Sequence, residues 1–194
     1  MVGRIIKDKA IAIENGLPPE IQEHMEEVLL TYFSIPSFIN GQTIDKSMRD
    51  SEVRFMQYNS SNSFVRKWLE YMADEYAHFF PYSNELEGTI NSKKGSLVPE
   101  PVQVTTYRMN NFYDWHVDGG AHDARHMTII AQLTDSSEYE GGNFEIEDLT
   151  LPPFTRSKGT VLLMKPHLKH RVTPVTKGVR NSMITWFRNE FKEY

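Results

Sequence analysis

His116, Asp118 and His170, with Arg180 ten residues past the second histidine, are side chains whose types and spacing suit redox chemistry at a metal. Two imidazoles and one carboxylate occupy one face of an ion and leave three coordination positions open. That set suits a mononuclear non-haem iron(II) that activates dioxygen. Arg180 supplies the fixed cation that would hold the far carboxylate of 2-oxoglutarate, because a planar guanidinium gives two parallel hydrogen bonds that an ammonium cannot copy. A His-x-Asp triplet alone is weak, since composition produces it by chance. The triplet after an aromatic-rich strand, a histidine about fifty residues on and an arginine ten beyond is a sharper pattern.

Those residues need strands to position them. Residues i and i+2 of a strand project to one face, so His116 and Asp118 can converge on an ion, and Gly119-Gly120 lets the chain turn away afterwards. The third ligand must come from another strand. If Lys169–Trp186 is a hairpin centred near Val175, His170 and Arg180 are cross-strand partners, about 5 Å apart at Cβ. The candidate strands are Val102–Met109, Phe112–Val117, Met127–Leu133, Asn143–Ile146, Thr160–Met164, Lys169–Thr173 and Ser182–Phe187, punctuated by Gly141-Gly142, Pro152-Pro153, Gly159 and Gly178. That spacing predicts a sandwich or barrel, with the jelly roll as the variety that commonly opens onto a metal site.

The first hundred residues read differently. Pro18-Pro19 opens a helix whose stripe is Ile21, Met25, Val28, Leu29 and Tyr32. A second helix, from about Asn62 to Phe80, would bury Phe64, Trp68, Met72, Tyr76 and Phe79 and stop at Pro81. Between them Glu52–Tyr58 is extended, with Val53, Phe55 and Gln57 on one side. Ser83–Pro99 is polar and reads as a loop, with a lid as one role. The expected organisation is one domain, 1–194, with 1–100 as helical support and loop and 101–194 as the β core.

Composition removes several function classes. The chain has 194 residues, 39% hydrophobic and 24% charged, as in an ordinary globular protein. A net charge of −5 argues against a nucleic-acid partner. With no cysteine, disulfides, thiolate metal sites and cysteine nucleophiles are excluded. No stretch reads as a signal peptide or a membrane span, so the expectation is a soluble cytoplasmic protein. No His-Glu-x-x-His, phosphate-cradling glycine loop or Gly-x-Ser-x-Gly occurs. His167 competes with His170 as third ligand, but the ten-residue step to Arg180 favours His170. His122 reads as loop and His126 as strand, and His24 and His78 fall in helices.

The stretches Thr128-Ile-Ile-Ala-Gln-Leu-Thr-Asp135, Glu138-Tyr-Glu-Gly-Gly-Asn-Phe-Glu-Ile146, Gly159-Thr-Val161 and His170-Arg-Val-Thr-Pro-Val-Thr-Lys-Gly-Val-Arg180 resemble the iron(II)/2-oxoglutarate oxygenase superfamily. Within it they look like the prolyl/lysyl hydroxylase-like group, of prolyl 4-hydroxylase type. The likeness covers about residues 100 to 188. It implies a mainly β fold, a double-stranded β-helix (jelly roll) with an N-terminal helical elaboration. Iron(II) would be held by His116, Asp118 and His170, with 2-oxoglutarate on Arg180, dioxygen as oxidant and ascorbate as an optional reductant. Tyr107 falls where many members place a tyrosine that bonds the cosubstrate. Tyr113, Trp115 and Trp186 are candidates to line the substrate path. No catalytic group beyond the metal centre is required. One departure is Asn110, where the family often has glycine; asparagine tolerates the left-handed backbone such a turn needs. The implied activity is hydroxylation of a C–H bond in a peptidyl proline. The alternatives are a free amino acid or other small molecule as substrate, or a non-catalytic β-helix binding module. The oligomeric state is not legible.

Overall fold

A computed structural model describes residues 3–38, 43–80, 96–119 and 125–190. In chain order the elements are β1 (Arg4–Ile6), β2 (Ala10–Ile13), α1 (Pro19–Thr31), β3 (Ile35–Pro36), β4 (Arg49–Asp50), β5 (Glu52–Met56) and α2 (Ser63–Tyr76). Then come β6 (Ser96–Pro99), β7 (Val102–Tyr107), β8 (Phe112–His116), β9 (Arg125–Gln132), β10 (Tyr139–Gly141) and β11 (Phe144–Ile146). The last four are β12 (Val161–Met164), β13 (His170–Val172), β14 (Val175–Gly178) and β15 (Arg180–Glu190). The expected lid over Ser83–Pro99 lies outside the described residues except for 96–99, which form β6.

Strands β1-β2-β12-β9-β15-β7-β5-β3 form one large antiparallel sheet, with β6 paired to the far end of β15. A smaller sheet, β11-β13-β8-β4, faces the cavity from the other side, and β10-β14 is a separate two-stranded ladder. The architecture is mostly β and jelly-roll-like, as expected. The first fifty-six residues do more than support it. They contribute four strands to the large sheet and β4 to the small one, where only one extended piece was expected. The hairpin β1-β2 went unread because Ala10-Ile11-Ala12-Ile13 is buried on both sides and shows no alternation.

Helix α1 begins with Pro19 in its first turn, where a missing N–H costs nothing. It buries Ile21, Met25 and Val28 as its spacing predicts. In α2 the buried stripe is Val65, Trp68, Leu69, Met72 and Ala73, while Phe64, and Phe79 in the 3-10 turn past its end, are exposed. The apolar face is therefore rotated about one position from the aromatic-based expectation, because close packing on the sheet favours branched and small side chains there. Both helices cover the sheet face formed by Met56, Val102, Val104, Met127, Ile129, Ala131, Met183 and Phe187. Among the described residues no helix is long and apolar enough to cross a membrane.

The expected hairpin from Lys169 to Trp186 does not form. His170 pairs with His116 in the small sheet, Val175–Gly178 pairs with β10, and Arg180 pairs with Tyr107 in the large sheet. The chain crosses from one sheet to the other within ten residues. Pro174 has no N–H to extend β13, and its carbonyl accepts instead from Gly142. Gly178 turns with φ of +73° where a Cβ would lie 2.0 Å from the Glu138 carbonyl oxygen, so only glycine fits.

Candidate metal centre

His116 closes β8 and His170 opens β13, directly opposite each other in register. Each ring donates its Nδ1–H to the carbonyl two residues back, Asp114 for His116 and Leu168 for His170, both at 2.7 Å. A carbonyl only accepts, so Nδ1 carries the proton and Nε2 presents a bare lone pair. Burial, reinforced by the neighbouring His170, pushes the His116 pKa down to about 4. The imidazole is therefore neutral at physiological pH, as a metal ligand must be.

Asp118 faces both rings. Its carboxylate oxygens lie 3.7 Å from His116 Nε2 and 3.6 Å from His170 Nε2, beyond hydrogen-bond length. Three ligand atoms, all within 4.8 Å of one another, thus converge with no hydrogen bond between them. That arrangement is repulsive until a cation joins it, so the donor set fits a metal ion. Asp118 is tied down on every side: its N–H donates to the Pro166 carbonyl at 2.8 Å, and its own carbonyl accepts from Arg125 at 2.6 Å. Thr128 Oγ1 donates to its Oδ2 at 2.9 Å.

Arg180 enters the same cavity from the large sheet and is 1% exposed. Its guanidinium donates to Gln132 Oε1 at 3.1 Å and weakly to Ser182 Oγ at 3.4 Å, and Nε is buried without a partner. No carboxylate of the described residues pairs with it, although burying an uncompensated cation is costly. Tyr107, its register partner and 2% exposed, places its ring 5.4 Å below the guanidinium carbon. Gly142 passes against the arginine stem, where a Cβ would come within 3.1 Å of Cδ. The turn residue Asn110 adopts φ of +68°, the left-handed backbone anticipated for it.

The aromatic candidates separate. Register between β8 and β13 slips by one residue, so Asp114 and Trp115 both stand opposite Arg171. This bulge brings Tyr113 and His116 onto the same side, with rings stacked at 3.4 Å and 11°. Burial pushes the Tyr113 phenol up to about 12, so it stays protonated. Trp115 is turned outward instead, under Arg171 at 4.6 Å and Lys169 at 5.6 Å, and does not line the cavity. Trp186 does line it, with Arg125 lying over its ring at 4.1 Å and Nε1 buried without a partner. His167 is exposed in a turn rather than on a strand, His126 lies buried in β9, and His122 falls outside the described residues.

The cavity has a volume of about 550 Å³. Sequence reasoning missed Thr128, Arg49 and the pair Glu100–Arg125. Thr128 was readable: it shares the cavity face of β9 with Ile130 and Gln132, two and four residues on. Glu100 was not, because its partners Arg125 and Arg188 are 25 and 88 residues away. Burial alone would push its carboxyl up, but hydrogen bonds from those two guanidinium groups outweigh it and hold the group below the usual carboxylate range.

Residues 102–188 match the family model described as the 2OG-Fe(II) oxygenase superfamily. A PKHD-type hydroxylase of Idiomarina loihiensis is 32% identical over 95 residues, which is 47% of this chain and 44% of that protein. The chain thus matches less than half the length of such relatives. Among solved structures, a Trichoplax adhaerens prolyl hydroxylase in complex with a hypoxia inducible factor peptide fragment superposes with a TM-score of 0.68. Its identity is 14%, over 94% of this chain and 84% of that one. A Pseudomonas putida prolyl-4-hydroxylase gives a TM-score of 0.64 at 14% identity over 94% of both chains. At such identity these likenesses establish the shared fold.

Proposed function

We propose, for a chain whose residues 102–188 belong to the 2OG-Fe(II) oxygenase superfamily, that it is an iron(II)- and 2-oxoglutarate-dependent dioxygenase acting on a peptidyl proline. His116, Asp118 and His170 hold the iron, and Arg180 holds the distal carboxylate of 2-oxoglutarate. The observation that carries this reading is a buried guanidinium with no acidic partner among the described residues, in the same cavity as a His–Asp–His cluster whose ligand atoms make no hydrogen bond to one another. One anion that also chelates the metal would satisfy both.

Iron, 2-oxoglutarate and dioxygen together supply the oxidation of a C–H bond to an alcohol, with succinate and carbon dioxide as coproducts. The protein's part is position. The carbonyls of Asp114 and Leu168 set both imidazole tautomers, Thr128 fixes which carboxylate oxygen of Asp118 is free, and Gln132 and Ser182 aim Arg180. Tyr107 forms an apolar floor under the guanidinium, which strengthens its hold on a carboxylate by excluding water. None of these groups exchanges a proton with substrate. The proline assignment draws support from the fold shared with prolyl hydroxylases, one of them solved with a peptide bound.

The test is succinate formation and the gain of one oxygen atom on proline-containing peptides, against free amino acids, with iron(II) supplied anaerobically before air. Asp118→Ala should abolish both metal retention and turnover. Arg180→Ala should raise the 2-oxoglutarate requirement at least about thirtyfold, as for loss of a buried charge pair, while metal content stays unchanged. Loss of iron from Arg180→Ala with unaltered cosubstrate dependence contradicts the role given to this residue.

A further inference from the structure

We propose that Arg49 binds a carboxylate of the primary substrate, so that the preferred substrate is an anion; this rests on the function proposed above. Arg49 sits on β4, at the edge of the small sheet, and is 7% exposed. It lines the cavity on a different sheet from Arg180. Its hydrogen bonds are long ones to neutral oxygens, 3.3 Å to Ser51 Oγ and 3.4 Å to the Phe38 carbonyl. No acidic side chain of the described residues pairs with it.

The two buried arginines are matched. Each guanidinium lies over a tyrosine ring, Arg180 at 5.4 Å from Tyr107 and Arg49 at 4.5 Å from Tyr113. Each lacks an acidic partner among the described residues. The cosubstrate carboxylate answers Arg180 alone. The remaining cavity cations, Arg125 and Arg188, already share Glu100. Arg49 therefore leaves one positive charge unmatched in a largely desolvated wall, a strong recruiter of an anion. Tyr113 in turn is stacked on His116, which puts this charge one ring away from the metal ligand. Phe38 and Phe55, stacked at 5.9 Å, line the same cavity and suit an apolar body attached to the acid. The carboxylate has two sources: the α-carboxylate of a free imino acid, or an acidic residue beside a peptidyl proline.

Two matched probe pairs separate them: L-proline against L-prolinamide, and acetyl-Pro-Glu-amide against acetyl-Pro-Gln-amide. Each is titrated calorimetrically into the protein loaded with manganese(II) and 2-oxoglutarate. In one pair the acid should bind at least about tenfold tighter than its neutral partner, and Arg49→Gln should bring that ratio near unity while 2-oxoglutarate affinity holds within about twofold. The pair that discriminates names the source. The wild-type ratio is a test in itself should the variant not fold. Ratios near one in both pairs, no binding by either acid, or a ratio that survives Arg49→Gln overturns the proposal. A protein that binds neither metal nor 2-oxoglutarate fails earlier, on the reading beneath it.

Discussion

The two faces of the large sheet are built from the same strands and do opposite work. Along β9, Met127, Ile129 and Ala131 pack beneath the helices, while Thr128, Ile130 and Gln132 point toward the metal side. Along β15, Met183 and Phe187 join the helix-covered core, while Arg180, Ser182, Ile184 and Trp186 line the cavity. Period-two alternation thus puts the chemistry one residue away from the stability. The helix side is apolar and close-packed, so its energy comes from area and fit. The cavity side keeps a guanidinium without an acidic partner among the described residues and a cluster of converging ligand atoms, which costs folding energy and is recovered on binding.

The contrast is sharpest in a pair of neighbours. Phe187→Ala, fully buried under the helices, should destabilise the fold by about 3–5 kcal/mol. Urea unfolding would measure this, and the surviving folded fraction should bind metal normally. A loss of metal affinity larger than the loss of stability would break the division between the faces. Thr128→Val, one side chain over in β9, should leave the urea midpoint nearly in place. It should weaken metal binding about 10- to 100-fold by freeing the Asp118 carboxylate, readable by competitive chelation.

The smallest effect is a pH slope. His116 and His126 both have pKa values lowered by burial, His116 to about 4. A base whose folded pKa is depressed stays neutral in the native state and takes up a proton on unfolding. Stability is then full above the unfolded pKa of about 6.5 and falls as pH drops toward the folded values. Metal-free protein should therefore melt progressively lower from neutral pH to about pH 5. Bound metal should flatten the part due to His116, since a ligated nitrogen cannot take the proton. A metal-free melting temperature independent of pH across that range contradicts the neutral imidazoles.

Much of this was legible because the relevant signals are local. The strand run from Val102 on shows turn residues at regular intervals, and His116, Asp118, His170 and Arg180 could be singled out by type and spacing alone. What was illegible depends on long-range pairing. Nothing local says that Arg180 pairs with Tyr107 rather than with His170, or that Ala10–Ile13 completes the sheet beside β12. The stripe of α2 was misplaced by weighting aromatic residues over Val65, Leu69 and Ala73. Arg49 gave no signal at all, because it is an ordinary surface residue type until β4 carries it against Tyr113.

The slipped register in β8 carries a consequence for sequence change. It works as a half-period phase shift, so that whatever follows the extra residue trades inside for outside. Deleting Asp114 or Trp115 would restore even pairing with β13 and keep Tyr113 and His116 on one face, two residues apart, whereas keeping both residues and losing the bulge would turn Tyr113 away from His116. The bulge, rather than the number of residues in the strand, therefore decides which side chains ahead of it face the cavity.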